Sequence, residues 1–150
     1  MKVAVIDIGK TNAKLLAIDL ASGAEVAVYK RPNRVLPGPP YPHFDAEALW
    51  QFLLDSLTDL AKTHAIAAIS ITTHGAAAAL VDADGGWALP ILDYEHPGPD
   101  EVQADYDALR PDFAETGSAR LPGGLNLGAQ LYWQARRFPA EFARVAPVLT

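Results

Sequence analysis

Val3 to Ile8 is a mostly apolar, β-branched run that stops at Gly9, and a second, mostly apolar run, Ala13 to Asp19, begins only a turn later. Runs of this kind read as strands, and glycine tolerates the unusual backbone angles of a sharp turn. Ala21-Ser22-Gly23 supplies a further turn into Glu25–Lys30, whose apolar/polar alternation marks a third strand nearer a sheet edge. Three consecutive antiparallel strands therefore open the fold.

The pattern then changes. Pro32, Pro37, Pro39, Pro40 and Pro42 mark an extended loop, since proline offers no backbone donor to a helix or a central ladder. Asp45 is placed to cap a helix from Ala46 to about Thr63, with Leu49, Trp50, Phe52, Leu53, Leu57, Leu60 and Ala61 on the side that lies against the sheet. Ile66–Thr73 is a strand, followed by His74-Gly75, a strand from Ala76 to Val81, a turn at Asp82–Gly86 and a strand from Trp87 to Leu92. The four alanines from Ala76 predict a close approach of backbones. A polar helix after Pro97-Gly98-Pro99 ends near Leu109, and a second helix around Leu125–Phe138 is closed by Pro139. The apolar run Val145–Leu149 leaves the chain ending as though inside an element, which predicts the front piece of a longer protein. The expected class is α/β with helices on the faces of a mixed sheet.

At 150 residues the chain predicts one compact domain or one segment of a larger one. Half the residues are hydrophobic and a fifth charged, a composition of ordered globular proteins. A net charge of −6 with no run of Lys or Arg longer than two argues against nucleic acid and anionic membrane partners. The absence of cysteine removes disulfides, thiolate metal sites and cysteine nucleophiles together and suits the cytoplasm. No stretch approaches the ~20 apolar residues of a membrane span, and Val3–Ile8 is too short for a signal-peptide core. His43, His64, His74 and His96 lack the spacing of a zinc motif, and no serine sits in a G-x-S-x-G elbow.

Gly9-Lys10-Thr11 invites comparison with the end of a P-loop. Walker A requires G-x-x-x-x-G-K-[ST], in which a long glycine-bearing loop wraps the phosphates before a helix starts. The position five before Gly9 is Ala4, in mid-strand, and the residues after Thr11 continue as a strand. A second kind of cradle fits better. A tight turn can offer N–H groups to phosphate oxygens while a carboxylate at the strand end holds Mg²⁺ through water; Asp7, Gly9, Thr11 and Asn12 stand in that order. Taken alone, the motif also fits a plain strand–turn–strand with an incidental aspartate.

The segment Asp7-Ile8-Gly9-Lys10-Thr11-Asn12-Ala13-Lys14 resembles the first phosphate motif of the FGGY carbohydrate kinases of the actin-like ATPase superfamily, roughly D-x-G-T-[ST]-x-x-[KR]. It matches at Asp7, Gly9, Thr11 and Lys14, with Lys10 where threonine or serine is common. Thr72-Thr73-His74-Gly75, the apolar run after it and Asp82-Ala83-Asp84-Gly85 are similar to the family's Q-M-H-G, strand and L-D-x-D-G. Pro90 to His96 resembles P-a-[IV]-x-W-x-D-x-R, with Asp93 where tryptophan is usual, Glu95 where Asp is usual and no arginine after it. Tyr41–Asp45 leading into Trp50, and Leu127–Trp133 before Pro139, resemble further family segments; His43 and Phe44 are weak pocket candidates, and the second segment reads as packing.

The resemblance implies a ribonuclease-H-like, actin-like ATPase fold, with residues 1–150 as an incomplete N-terminal domain and the second, nucleotide-binding domain lying outside this chain. It implies ATP and Mg²⁺ as cofactors and phosphorylation of a sugar or polyol hydroxyl. Asp7 would place the metal, with Gly9, Lys10, Thr11, Asn12 and Lys14 about the nucleotide phosphates; Lys10 offers an ammonium there or points to solvent. His74, Gly75, Asp93 and Glu95 would hold the substrate, a task imidazole and carboxylates suit because they pair with neighbouring hydroxyls. The catalytic base is expected beyond Thr150, so the chain alone is expected to be inactive, and a homodimer is compatible. The other function class is a switch-type actin-like protein that binds nucleotide without transferring phosphate.

Overall fold

The structure, a computed structural model, describes residues 1–150. The strands are β1 (Lys2–Ile8), β2 (Asn12–Asp19), β3 (Ala24–Pro32), β4 (Val35–Leu36), β5 (His43–Phe44), β6 (Ile66–Thr73), β7 (Ala79–Asp82), β8 (Trp87–Leu89) and β9 (Val145–Leu149). The helices are α1 (Ala46–Thr63), α2 (Gln103–Asp107), α3 (Phe113–Thr116), α4 (Leu127–Arg137) and α5 (Pro139–Phe142). The chain divides into two compact units: Met1–Leu36 with Asp45–His74, and Pro37–Phe44 with Gly75–Thr150.

In the first unit a mixed sheet runs in the order β3-β2-β1-β6. β1 pairs antiparallel with β2 from Lys2↔Asp19 to Ile8↔Ala13, and β2 pairs antiparallel with β3, which is the expected three-strand opening. β6 joins β1 in parallel, as a strand returning through a helical crossover can. Alternation sends Ala4 and Ile6 of β1 and Leu15 and Ala17 of β2 into a core with Leu53 and Leu60 of α1. Leu15 and Leu60 are fully buried, each contributing about 1.5–3 kcal/mol. Asp45 caps α1 as anticipated, its carboxylate accepting the Ala48 N–H at 3.1 Å.

Trp50 and Ala61 do not join that core. The buried residues of α1, Leu53, Ser56 and Leu60, centre its inner stripe. At 3.6 residues per turn Trp50 and Ala61 point roughly 90° or more away from that centre, and Trp50 is 59% exposed.

In the second unit β8-β7-β9 form an antiparallel sheet, so the closing run Val145–Leu149 is a paired strand. The strand expected from Ala76 starts only at Ala79, because the Ala76 carbonyl is taken by the Gln130 side chain at 2.8 Å. The strand expected through Leu92 stops at Leu89, before Pro90, which has no N–H to extend the ladder. The polar helix after Pro97 is a 3₁₀ turn, Gly98–Val102, continued by α2. Pro139 follows α4 and opens α5, a position where its fixed φ suits a first helical turn.

The core of this unit gathers Tyr41, Leu80, Leu89, Leu92 and Trp133. Tyr41 and Gln134 are linked there: Gln134 Nε2 donates to the Tyr41 hydroxyl at 2.8 Å, and that hydroxyl donates to the Pro90 carbonyl at 2.8 Å. Burial pushes the Tyr41 phenol well above the ordinary tyrosine range and outweighs the lowering effect of Gln134, so Tyr41 remains a neutral donor. No helix is long and apolar enough to cross a membrane.

Candidate functional site

The first part of the candidate site is the turn joining β1 and β2. Asp7 and Lys14 are register partners across the two strands, so their side chains share a face. Lys14 Nζ lies 3.7 Å from Asp7 Oδ2, with the side chains 40% and 41% exposed, so the pair is reachable by a ligand. The Gly9 N–H donates to the Asn12 carbonyl at 2.9 Å, and Asn12 Nδ2 donates to the Thr11 hydroxyl oxygen at 3.0 Å. A Cβ on Gly9 would stand 3.3 Å from the Asn12 carbonyl oxygen, so the turn is closed tightly over its glycine.

Asn33, just after β3, was not singled out by sequence reasoning. Its side-chain Nδ2 donates to the Gly9 carbonyl at 2.9 Å, and its backbone N–H donates to the Thr11 carbonyl at 2.9 Å. The carbonyls of Gly9, Thr11 and Asn12 are thus all tied to N–H donors of the protein. Tying the negative ends of these peptide dipoles inward favours an anion over a cation at the turn's outer side. The signal was an asparagine directly behind the proline-terminated third strand, which does not by itself say which turn it ties.

His74 follows β6 as Gly9 follows β1. Since Ile8 pairs with Thr73 in the parallel ladder, the Gly9–Asn12 turn and His74 leave the carboxyl ends of neighbouring parallel strands. That end of an open α/β sheet is where ligands bind as a rule. His74 is half-buried.

The remaining candidates belong to the second unit, which begins at the exposed Gly75. Asp93 and Glu95 do not share a strand face. The Asp93 carbonyl accepts the His96 N–H at 2.9 Å and its Oδ1 accepts the Glu95 N–H at 3.1 Å, so Asp93 opens a turn that sends Glu95 to solvent. Asp93 itself is only 9% exposed. Residues 42–44 run against 91–93: the Asp93 N–H donates to the Pro42 carbonyl at 2.9 Å and the Phe44 N–H to the Ile91 carbonyl at 3.0 Å. His43 and Phe44 therefore serve this ladder, and Phe44 is buried. Gly123 and Gly124 back the acidic turn: the Gly124 N–H donates to the Tyr94 carbonyl at 2.9 Å, and a Cβ there would meet Tyr94 Cα at 2.9 Å.

No family model and no curated protein matches the sequence. Solved structures do match. A carbohydrate kinase from Novosphingobium aromaticivorans is 39% identical with a TM-score of 0.85 over 95% of this chain and 31% of that chain. The expected resemblance to FGGY carbohydrate kinases is borne out over nearly the whole chain. Two further similar structures are a xylulose kinase from Rhodospirillum rubrum, 26% identical with a TM-score of 0.75 over 99% of this chain and 32% of that one, and a xyloylose kinase from Brucella ovis, 24% identical with a TM-score of 0.83 over 99% and 32%. The chain thus spans about a third of the length of the FGGY structures it matches. The expected actin-like α/β fold is the one found. The segment that resembles the FGGY phosphate motif forms the β1–β2 turn, and its departure from that pattern, Lys10, lies in that turn beside the exposed Thr11.

Proposed function

We propose that this chain is the N-terminal, phosphate- and sugar-binding part of an ATP-dependent kinase for a sugar or polyol. The observation that carries the proposal is the placement of the Asp7–Lys14 turn and His74 at the same end of the parallel β1–β6 pair. The 39% identity to a carbohydrate kinase supports the reaction class.

The turn's chemistry fits nucleotide phosphate and Mg²⁺: an accessible carboxylate, a lysine opposite it and a glycine bend with its carbonyls tied back. No group of three or more His, Cys, Asp or Glu side chains could hold a metal. A cation at Asp7 would therefore take most of its ligands from water and phosphate, the usual condition of Mg²⁺. When bound, Mg·ATP supplies the γ-phosphoryl group and the cation that neutralises it. In that reading Lys14 balances charge beside Asp7, and Gly9, Lys10, Thr11 and Asn12 orient the phosphates. His74, with one ring nitrogen able to donate and the other to accept, fixes a substrate hydroxyl; Gly75 leaves room beside it, and Asp93 and Glu95 are carboxylate acceptors for neighbouring hydroxyls. The catalytic base and the adenosine pocket belong to sequence beyond this chain.

The test is ADP release from Mg·ATP by the full-length kinase across a panel of ketoses and alditols, with the 150-residue chain alone in parallel. One sugar should stimulate ADP release strongly with the full-length protein only. Slow hydrolysis indifferent to every sugar, or phosphorylation by the 150-residue chain alone, contradicts the proposal.

A further inference from the structure

A cavity of about 240 Å³ in the second unit is lined by Tyr106, Arg110, Thr116, Ser118, Asn126 and Gly128, none of them among the residues considered above for nucleotide or sugar. Tyr106 and Arg110 are four residues apart on a helical turn, the Arg110 N–H donating to the Tyr106 carbonyl at 3.0 Å, so both side chains reach the same space. Arg110 Nη2 donates to the Ser118 carbonyl at 2.5 Å. Its Nη1 is shut off from solvent and makes no hydrogen bond within the protein.

A buried guanidinium nitrogen is ordinarily matched by a carboxylate. The acids nearby serve another arginine: Arg120 holds Asp107 at 3.4 Å and Asp100 at 3.3 Å, while Arg110 has no carboxylate within 4.0 Å. The Asn126 side chain is spent on its own loop, accepting the Leu121 N–H at 2.7 Å and donating to the Ala119 carbonyl at 3.0 Å. The Thr116 hydroxyl donates to the Asp112 carbonyl at 3.3 Å. The hydroxyls of Tyr106 and Ser118 remain as donors beside Arg110. The Tyr106 hydroxyl is packed so closely on Gly128 that any side chain there would collide with it.

We propose that this cavity is an oxyanion site, with the Arg110 guanidinium, which lines it and has no carboxylate partner, as its charged group and the Tyr106 and Ser118 hydroxyls as supporting donors. Ligand pockets for drug-sized molecules begin near 300 Å³, so the space suits a small phosphate monoester or a short carboxylic acid rather than a nucleotide. Arginine is suited to either, because its planar N–H groups match the oxygens of both. The proposal rests on the second unit alone and does not depend on the kinase reading.

The experiment is an NMR titration of the full chain with inorganic phosphate and, separately, with acetate, at constant ionic strength. The Arg110 Nε–H and the Ser118 and Gly128 amides are followed. Saturable shifts confined to these groups, weakened at least tenfold in Arg110→Met and in Tyr106→Phe/Ser118→Ala, are expected; whichever anion saturates identifies the phosphate or the carboxylate class. Shifts that never saturate with either anion, or that persist unchanged in the variants, overturn the site. If Arg110→Met fails to fold, the wild-type titration and the hydroxyl variant decide the matter.

Discussion

Replacing Asp7 with alanine in the full-length kinase should lower kcat for sugar phosphorylation by roughly 10²–10³-fold, about 3–4 kcal/mol of transition-state stabilisation. The sugar KM should stay near its original value, since the substrate contacts proposed for His74, Gly75, Asp93 and Glu95 are untouched. Folding should hardly change. Asp7 pairs with Lys14 at 3.7 Å, with both side chains well exposed, and such pairs contribute about 0–1 kcal/mol. Steady-state kinetics with a melting curve separates the two effects. An unchanged kcat removes Asp7 from the phosphate site, and a collapsed melt with proportionate loss of activity makes its role structural.

The second large effect concerns stability. Trp133→Ala should cost about 3–5 kcal/mol of unfolding free energy, the range for emptying a buried aromatic site. Trp133 is 3% exposed and lies 5.6 Å from the Tyr41 ring, 5.5 Å from Phe138 and 5.5 Å from His96, with its Nε1–H donating to Glu101 at 3.1 Å. Gly98, which packs directly on the Trp133 and His96 rings, has no side chain with which to fill the space the indole leaves. Trp50→Ala, at the exposed tryptophan of α1, should change stability by about 0.5 kcal/mol or less. Urea unfolding of both variants checks the contrast; equal losses would place Trp50 in a core that the structure does not give it.

Much of the first unit was legible in the sequence because its signals are local. The β-branched run before Gly9 and the mostly apolar run after it give strands, the short gap gives an antiparallel pair, and Asp45 before a periodic apolar stretch gives a capped helix. Trp50 was misplaced because seven apolar residues define a stripe wider than the one a single sheet covers, and only packing decides which edge is left out. The apolar lead-in Pro90-Ile91-Leu92 carried the expected strand up to Asp93. An aspartate can instead bond its side chain to an N–H two residues on, and there it did. Ala76 misled in a similar way, since its carbonyl is taken by Gln130, a side chain 54 residues away. Asn33 illustrates the same limit at the candidate site: its two hydrogen bonds reach back across the hairpin to residues 9 and 11, and no local pattern announces them.

The most direct measurement is a crystal structure of the full-length protein with Mg·ADP and the best sugar from the panel. The account predicts a phosphate oxygen within hydrogen-bonding reach of the Gly9–Asn12 turn, the cation linked through water to Asp7, and the sugar against His74. A nucleotide bound with its phosphates elsewhere, and a turn that touches only solvent, would contradict it.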